Sequence, residues 1–257
     1  MKEFAGFDKN FNLDRKVVLV TGAARGIGRA IATLCAEKHA DVILVDMLAE
    51  VTEAAAALAD LGVKTLPLTV DVSKNESIHR MVSDSIKTFG KIDVLVNCAG
   101  VVFLDDAENL SEAYWDQTMA INLKAPFMIA QAVGREMIRR QSGKIINIAS
   151  QAGVIALDKH VAYCASKAAI IGMTKVLAIE WAEFNIQVNA VSPTVILTEL
   201  GKKAWAGEVG EAMKQKIPAG RFGYPEEVAA AVLFLASEAA DMITGANLVI
   251  DGGYTIQ

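Results

Sequence analysis

The strongest constraint on the fold is the alternation of short, continuously apolar runs with longer segments of helical period. The apolar runs predict seven strands, at residues 16–22, 41–47, 64–72, 91–100, 143–150, 186–193 and 247–253. The segments between them predict helices at 26–40, 49–61, 75–89, 160–184 and 225–236, a helical region that ends near 141, and a loop-rich stretch from 194 to about 220. Strands that are apolar throughout are typical of a parallel sheet covered on both faces. The sequence therefore predicts an α/β fold with one doubly wound parallel sheet and helices on both faces.

The chain shows no change of composition that would mark a linker between domains. We therefore expect its 257 residues to form a single domain, 1–257, in which residues 1–14 are a polar N-terminal extension. In doubly wound sheets, ligands bind beyond the carboxyl ends of the strands. Candidate functional residues are therefore those that follow each predicted strand.

Charge and composition exclude several classes of function. The 30 acidic and 25 basic residues give a net charge of −5, which disfavours nucleic acid and anionic membranes as main partners. The first 16 residues contain no apolar signal core, and no run of about 18 apolar residues occurs, so we expect a cytoplasmic protein. The three cysteines, Cys35, Cys98 and Cys164, have no CxxC spacing and predict neither disulfides nor a metal site.

A glycine-rich turn follows the first predicted strand. It reads Thr21-Gly22-Ala23-Ala24-Arg25-Gly26-Ile27-Gly28. Gly22 permits a tight turn, Gly26 lets the backbone approach a phosphate, and Gly28 lets the next helix pack closely on the sheet. The free N–H groups of that helix would then point at a pyrophosphate. Between a first strand and a first helix, this motif predicts a dinucleotide site more strongly than an ordinary turn.

Asp46, at the end of the second strand, favours NAD as the dinucleotide. A carboxylate at this place accepts hydrogen bonds from ribose hydroxyls and repels a 2′-phosphate. Met47 adds no positive charge, which agrees, whereas Arg25 could reach a 2′-phosphate and favours NADP. We give Asp46 more weight, because an arginine at the rim can swing into solvent. An ordinary strand-end turn is the alternative role for Asp46.

The third and fourth strands end in two further cofactor candidates. Asp71-Val72 could place a carboxylate near the adenine amino group, or Asp71 could simply begin the next helix. In Asn97-Cys98-Ala99-Gly100, the small residues would let the adenosine half lie against backbone, while Asn97 could bridge strands. Both assignments depend on the other motifs.

The catalytic candidates follow the fifth strand. Ser150 closes that strand, and Tyr163 and Lys167 lie four residues apart on one face of the next helix. A phenol has an ordinary pKa of about 10, which a nearby ammonium group lowers together with the positive charge of a bound nicotinamide. Tyr163 could then exchange a proton with an alcohol, while Ser150 stabilises charge on the substrate oxygen. Asn122, in the helical region after the fourth strand, could hold a water that relays protons from Lys167.

The motifs TGAARGIG, NCAG and YCASK, with Asn122 and Ser150, resemble those of the short-chain dehydrogenase/reductase family over roughly residues 12–257. The resemblance implies a single Rossmann-type domain, a seven-stranded sheet and a homotetramer. It also implies a catalytic tetrad of Asn122, Ser150, Tyr163 and Lys167, in which Lys167 also holds the nicotinamide ribose.

The segment from Pro193 to Thr198 resembles the part of this family that holds the nicotinamide carboxamide. The resemblance implies that Ile196 binds through its backbone and Thr198 through its side chain. The family usually has glycine where this chain has Thr194, so the local backbone is less certain to match. Residues 197–222 should form a lid over the substrate, in which Trp205 is either a packing or subunit-contact residue or a wall of the site.

The residues between Ser150 and Tyr163 suggest the class of substrate. Gln151, Asp158 and His160 supply polar groups that suit a polyhydroxylated molecule, although Asp158 and His160 could instead cap the helix. The strings ALDKHVAYCASKAA and SPTVILTELGKKAW resemble bacterial NAD-dependent polyol dehydrogenases of the D-arabitol type. This resemblance implies a small polyol or ketose substrate, and the residues that we expect to bind it are Ser150, Gln151, His160 and Tyr163.

Two rival functions remain open. A 3-oxoacyl-[acyl-carrier-protein] reductase has the same fold and tetrad, normally uses NADPH and docks an acidic carrier. Arg25 fits that rival, while Asp46 and the acidic balance do not. The other rival is a non-catalytic NAD-binding protein, against which the complete tetrad argues.

Overall fold

The computed structural model describes residues 6–257, apart from the side chains at positions 200, 203 and 204, so the first five residues of the predicted extension lie outside it. Seven strands form one parallel sheet in the order β3-β2-β1-β4-β5-β6-β7. Their bounds are β1 Val17–Thr21, β2 Asp41–Asp46, β3 Thr65–Thr69, β4 Val94–Asn97, β5 Gly143–Ile148, β6 Ile186–Pro193 and β7 Asn247–Ile250. The predicted doubly wound, seven-stranded sheet is confirmed.

Nine α-helices lie between and after these strands in the described part of the chain. Their bounds are α1 Gly26–Glu37, α2 Val51–Ala59, α3 Asn75–Phe89, α4 Glu112–Met119, α5 Ala125–Arg140, α6 Val161–Trp181, α7 Glu199–Ala204, α8 Glu208–Gln215 and α9 Pro225–Ala236. A five-residue π-helical turn, Ala120–Lys124, joins α4 to α5.

Two sequence-based predictions of local structure were wrong in detail. The helical region before residue 141 consists of two helices and the π turn, and it begins only at Glu112. The stretch predicted to be loop-rich contains α7 and α8. Glycines at 201, 207 and 210 lower the helix propensity of that stretch, which explains why its short helices have little sequence signal.

The sheet is covered by two apolar layers. Alternate residues of β1 belong to opposite layers: Val18 and Val20 pack with α1, α2 and α9, whereas Val17 and Leu19 pack with α3, α5 and α6. Because each strand is buried on both faces, its apolar residues follow one another without alternation. This arrangement explains the pattern from which the fold was predicted.

Helix α6 is the longest helix of the described chain. With the turn that follows it, Val161–Phe184 is long and apolar enough to suit a membrane span by length and composition. However, α6 packs on β6 and buries Ile170, Leu177 and Ala178 against the sheet. Its apolar character is therefore that of a helix covering a core.

Candidate active site

The glycine-rich turn joins β1 to α1, where the strand order of the sheet changes direction. Gly22 and Gly26 have left-handed backbones, with φ of 70° and 60°. A Cβ added at Gly22 would lie 3.0 Å from Cα of Ala99, and one at Gly28 would lie 2.1 Å from the carbonyl oxygen of Gly22. The turn therefore requires glycine at these positions and brings its backbone to the crevice where dinucleotides bind in such sheets.

The start of α1 presents backbone donors rather than side chains. Arg25 occupies the position before the helix, is exposed and makes no capping hydrogen bond. The N–H groups of Gly26 and Ile27 belong to the first turn, whose amides have no acceptor within the helix. These groups suit an anion such as a pyrophosphate.

Asp46 is held in place by two backbone amides. Its Oδ2 accepts a hydrogen bond from the N–H of Ala24 at 3.0 Å, and its Oδ1 accepts one from the N–H of Leu48 at 3.1 Å. The first bond links the end of β2 to the glycine-rich turn. The carboxylate therefore has a fixed position beside that turn and remains half-buried.

Thr21 connects the ends of β1 and β4, a role that sequence reasoning missed. Its Oγ1 accepts hydrogen bonds from the N–H groups of Cys98 and Ala99 at 3.0 and 3.1 Å. The position was visible as the threonine before Gly22, but nothing in the sequence indicated its partners. These bonds hold the Ala99-Gly100 backbone against the glycine-rich turn.

Asn97 bridges β4 and β5, which is the role that the sequence offered for it. Its Nδ2 donates to Oδ1 of Asn147 in β5 at 2.9 Å, and Asn147 donates in turn to Thr174 in α6. The Asn97 side chain is buried. Its contribution at the cofactor crevice is therefore to fix the end of β4.

Asp71 begins the turn into α3. Its Oδ1 accepts hydrogen bonds from both the N–H and the hydroxyl of Ser73, and Oδ2 lies 3.4 Å from Nζ of Lys74. These contacts lower the pKa of Asp71, chiefly through the Ser73 hydroxyl. The local role predicted as the alternative is thus present, and Val72 follows it as a half-buried residue packed on the core.

Ser150 and Tyr163 meet at the carboxyl edge of β5. The Ser150 hydroxyl accepts a hydrogen bond from the N–H of Ala152 at 3.1 Å, and it lies near enough to the Tyr163 phenol to lower the pKa of that phenol. Ser150 therefore caps a short 3₁₀ turn and contacts the phenol at the same time. A substrate oxygen placed against both hydroxyls could exchange its proton with Tyr163 while Ser150 donates a hydrogen bond to it.

The pKa of Tyr163 is raised in the chain alone, whereas the predicted lowering also relies on the positive charge of a bound nicotinamide and stays a prediction. Burial raises the pKa of Tyr163 above its ordinary value of 10.0, and the nearby Ser150 hydroxyl opposes this only partly. The physical reason is desolvation, which disfavours the charged phenolate. The sequence revealed the neighbouring ammonium but not the depth at which the phenol lies.

Lys167 is buried beneath Tyr163. Its Nζ donates to the carbonyl oxygen of Ile148 at 2.7 Å and lies 5.6 Å from the centre of the Tyr163 ring. Burial lowers the pKa of Lys167 to about 8. A Cβ added at Gly100 would lie 3.7 Å from this Nζ, so the glycine leaves room above the ammonium group.

Asn122 lies in the π turn and clamps the backbone that follows β4. Its Oδ1 accepts from the N–H of Val101 and its Nδ2 donates to the carbonyl of Val101, both at 2.8 Å. Nδ2 also contacts Oγ of Ser166 at 3.2 Å, and Ser166 donates to the carbonyl of Tyr163. Ser166, which sequence reasoning missed, thus joins the clamp to α6, and both polar atoms of the Asn122 side chain are engaged.

The segment after β6 runs beside the glycine-rich turn. Ile196 is buried and pairs with Gly223, and its carbonyl accepts the N–H of Thr198. The Thr198 hydroxyl caps α7 by accepting the N–H of Gly201 at 3.1 Å, and its methyl group lies 3.1 Å from where a Cβ of Gly26 would be.

Pro193 ends β6, and Thr194 follows it where the family usually has glycine. The backbone of Thr194 continues the sheet by donating its N–H to Ile250, so the threonine does not disrupt the strand end. Its Oγ1 is buried and has no hydrogen-bond partner among the described residues.

The predicted substrate residues Gln151 and His160 lie in the segment that joins Ser150 to α6. Gln151 is buried directly after Ser150, and its Oε1 has no hydrogen-bond partner in the described chain. His160 precedes α6 and lies edge-on to the Tyr163 ring, with 6.1 Å between ring centres. The helix-capping alternative fails for the His160 side chain, which makes no capping bond, and Asp158 is exposed.

The predicted lid, residues 197–222, contains α7 and α8. Trp205 packs against Phe222, with 5.8 Å between ring centres, which agrees with a packing role for this tryptophan. At the base of the lid, the N–H of Ala219 bonds to the carbonyl of Gly252. The C-terminal residues thus anchor one end of the lid. Among the described residues, no cluster of three or more metal-ligating side chains occurs.

Known proteins resemble this chain over nearly its whole length. A family model described as enoyl-(acyl carrier protein) reductase matches residues 22–255. An NAD-dependent glycerol dehydrogenase of Listeria innocua is 63% identical, with 99% of each chain covered. A D-threitol dehydrogenase of Mycolicibacterium smegmatis is 54% identical, covering 97% of this chain and 96% of the relative. A crystal structure of an NAD⁺-bound xylitol dehydrogenase superimposes with a TM-score of 0.90 at 32% identity, covering 95% of this chain and all of the other.

The family match spans both the glycine-rich turn and the residues that carry the tetrad. The structural match covers the same seven-stranded sheet and helices. The chain therefore belongs to the short-chain dehydrogenase/reductase family.

Proposed function

We propose that this protein is an NAD-dependent oxidoreductase that interconverts a secondary alcohol of a small polyol and the corresponding ketose. The substrate class is a pentitol or tetritol, of the kind represented by D-arabitol and D-xylulose. The observation that carries the proposal is that Ser150, Tyr163 and buried Lys167 lie together at the carboxyl edge of the sheet, with Nζ of Lys167 5.6 Å from the centre of the Tyr163 ring. The names of the glycerol and D-threitol dehydrogenase relatives support the polyol class.

In the proposed reaction, Tyr163 is the general acid–base. Its hydroxyl takes the proton of the alcohol during oxidation and returns it during reduction, while Ser150 holds the same oxygen. Lys167 stabilises the phenolate through its charge and holds the ribose next to the reacting carbon. Because the Asn122 side chain is engaged by Val101 and Ser166, a relay water would have to be held by the backbone of the π turn.

The residues of the crevice fit NAD, which supplies the hydride acceptor when bound. The turn at Gly22, Arg25, Gly26, Ile27 and Gly28 would hold the pyrophosphate through backbone N–H groups. Asp46 would hold the adenosine ribose, and the ends of β3 and β4 would border the adenine. The segment Pro193, Ile196 and Thr198 would hold the carboxamide. Asp46 supports the fit best, because backbone amides fix both of its oxygens beside the turn.

A 3-oxoacyl-[acyl-carrier-protein] reductase, the rival function, shares the tetrad. The matching family model is also described as an acyl-carrier-protein reductase, so this rival is tested below. The fixed carboxylate of Asp46 argues against NADPH as the cofactor. The net charge of −5 argues against an acidic carrier protein as the partner. A non-catalytic NAD-binding role would leave the buried Lys167 and the Ser150–Tyr163 contact without a purpose.

A substrate panel tests the proposed function. NADH formation at 340 nm would be followed with D- and L-arabitol, xylitol, ribitol, threitol, galactitol, sorbitol and glycerol, each with NAD⁺ and with NADP⁺. We expect a clear signal with a pentitol or tetritol and NAD⁺. Acetoacetyl-CoA with NADH and NADPH is the reverse control. Silence on every polyol together with reduction of acetoacetyl-CoA would favour the acyl reductase instead.

We further propose a cytoplasmic homotetramer that has no nucleic acid or membrane partner. Three free cysteines suit a reducing compartment. Large apolar side chains are exposed on α5 and α6 and near the C-terminus, and such side chains suit contacts between subunits. They are Phe127 on α5, Val176 and Ile179 on α6, and Met242 and Ile256 near the C-terminus.

Substitution of Ile179 tests the assembly. Its side chain is 81% exposed in the single chain and belongs to no core layer, so Ile179→Glu should spare the fold and place a charge in the proposed contact. Light scattering after size exclusion should give a tetramer for the parent and a smaller species for the variant. Leu61→Glu, at another exposed apolar position, should leave the mass unchanged. A monomeric parent protein would refute the proposal.

A further inference from the structure

We infer that Nε2 of His160 accepts a hydrogen bond from a second hydroxyl of the substrate, and that the contact between Lys159 and Asp106 positions this imidazole. The inference rests on the proposed function and deepens it. It assigns the preference for a polyol over a simple alcohol to one nitrogen atom.

The first observation is the place of His160. The imidazole meets the ring of Tyr163 edge-on, with an angle of 66° and 6.1 Å between ring centres. Its side chain is partly exposed and belongs to none of the three apolar clusters. The imidazole is therefore an immediate neighbour of the phenol at which the reacting oxygen is proposed to bind.

The second observation fixes the tautomer of the imidazole. Nδ1 of His160 contacts the backbone carbonyl oxygen of Asp158. A carbonyl only accepts hydrogen bonds, so Nδ1 must carry the proton. In a neutral imidazole the other nitrogen is then an acceptor. Within residues 6–257, no hydrogen-bond partner is found for Nε2 of His160, so this acceptor is available.

The third observation is a contact between two loops that holds the residue before His160. The loop after β4 donates the N–H of Asp105 to the carbonyl of Lys159 at 3.2 Å. Nζ of Lys159 lies 3.4 Å from a carboxylate oxygen of Asp106. Lys159 has a left-handed backbone, with φ of 61°, which turns the chain sharply into α6. Lys159 and Asp106 are therefore positioning residues for the imidazole.

The chemistry of the acceptor selects the substrate. A hydroxyl beside the reacting carbon can donate to Nε2, whereas a methyl or methylene group at that place cannot. A site that offers a fixed acceptor discriminates against a substrate without the donor, because the acceptor then stays unpaired. A monohydric secondary alcohol would react without this contact, and a polyol would gain from it.

Two substitutions of His160 separate the acceptor from the packing. His160→Phe keeps a ring against Tyr163 and removes both nitrogens, while His160→Asn keeps a donor for the Asp158 carbonyl and removes the distal acceptor. For the best polyol of the panel, we expect both variants to lose about tenfold in kcat/KM, mainly through KM. For butan-2-ol, kcat/KM should stay within about twofold of the parent. His79→Phe, an exposed histidine on α3, is the matched control and should change neither substrate.

The loop contact is tested in the same assays. Lys159→Met should raise KM for the polyol with kcat unchanged and with little effect on butan-2-ol, and Lys159→Arg should restore the parental KM. Arg139→Ala, which removes a similar exposed ion pair on α5, is the control for loss of charge. NADH affinity, measured by fluorescence titration, should be the same in all variants.

The outcomes separate the inference from the proposed function. Equal losses on the polyol and on butan-2-ol, or an unchanged polyol kcat/KM in the His160 variants, would overturn the role of Nε2 while leaving the enzyme a polyol dehydrogenase. A weaker NADH affinity in those variants would assign His160 to the cofactor and also overturn it. A parent protein that oxidises no polyol would overturn the proposed function and this inference together.

Discussion

Replacing Tyr163 with phenylalanine should lower kcat for polyol oxidation by at least about 10²-fold, the usual scale for removing a general acid–base. The variant keeps the ring that His160 and Lys167 contact and loses only the hydroxyl that meets Ser150. NADH affinity should remain near the parental value, because the loss concerns proton transfer. Steady-state kinetics with a fluorescence titration of NADH gives both quantities.

The dependence of the oxidation rate on pH is a second test of Tyr163 as the general base. Burial raises the pKa of its phenol above 10.0, so the proton-accepting form grows as pH rises through the neutral and alkaline range. Oxidation by the parent protein should therefore accelerate with pH, and the residual rate of Tyr163→Phe should lose that slope. Near-normal turnover in the variant would show that the proton leaves by another route. A flat parental profile with chemistry shown to be rate-limiting would have the same meaning.

Asp46 should determine the preference for NAD⁺ over NADP⁺, with an effect on kcat/KM about as large as that of Tyr163→Phe on kcat. A carboxylate about 4 Å from a unit of phosphate charge costs about 4 kcal/mol at an effective dielectric constant of about 20, which part screening by solvent reduces. We therefore expect kcat/KM with NAD⁺ to exceed that with NADP⁺ by about 10²-fold or more in the parent protein. In Asp46→Asn, which removes the charge and keeps the shape, this ratio should fall to within about tenfold of unity.

Two controls complete the Asp46 experiment. Asp60→Asn, an exposed residue at the end of α2, removes one negative charge far from the glycine-rich turn and should preserve the ratio. If Arg25 binds the 2′-phosphate in Asp46→Asn, the double variant Asp46→Asn, Arg25→Ala should have a lower kcat/KM with NADP⁺ than Asp46→Asn alone. Comparable kcat/KM values for the two cofactors in the parent protein would refute the assignment of Asp46.

The sheet could be predicted from sequence because each strand is buried on both faces. Burial on both faces leaves an uninterrupted apolar run, and β1 shows this with Val17, Val18, Leu19 and Val20 divided between two cores. The motif residues could be placed for a related reason: parallel strands bring their carboxyl ends to one edge. Sequence order therefore sufficed to put Ser150 and Asp46 at the same edge.

Contacts that depend on depth and on backbone direction could not be predicted. The two amides that hold Asp46 come from the glycine-rich turn and from the residue after Met47, and neither has a side-chain signal. Asn122 has a role that requires the π turn, which the composition of Ala120–Lys124 does not reveal. Desolvation raises the pKa of Tyr163 in the chain alone. The extent of desolvation depends on the packing of several elements around the phenol, which the sequence does not reveal.

The π turn between α4 and α5 also determines which face of α5 points at the core, relative to the direction in which Asn122 points. Each α-helical residue turns the chain by about 100°, so a wider turn shifts the face that every later residue presents. With the present phase, Ile129, Val133 and Met137 of α5 lie in the core, while Asn122 faces Val101. Deleting a single residue between Ala120 and Lys124 would rotate either the clamp or the whole of α5 out of place. In this chain, the length of one turn therefore sets both the packing of a core helix and the geometry of the catalytic edge.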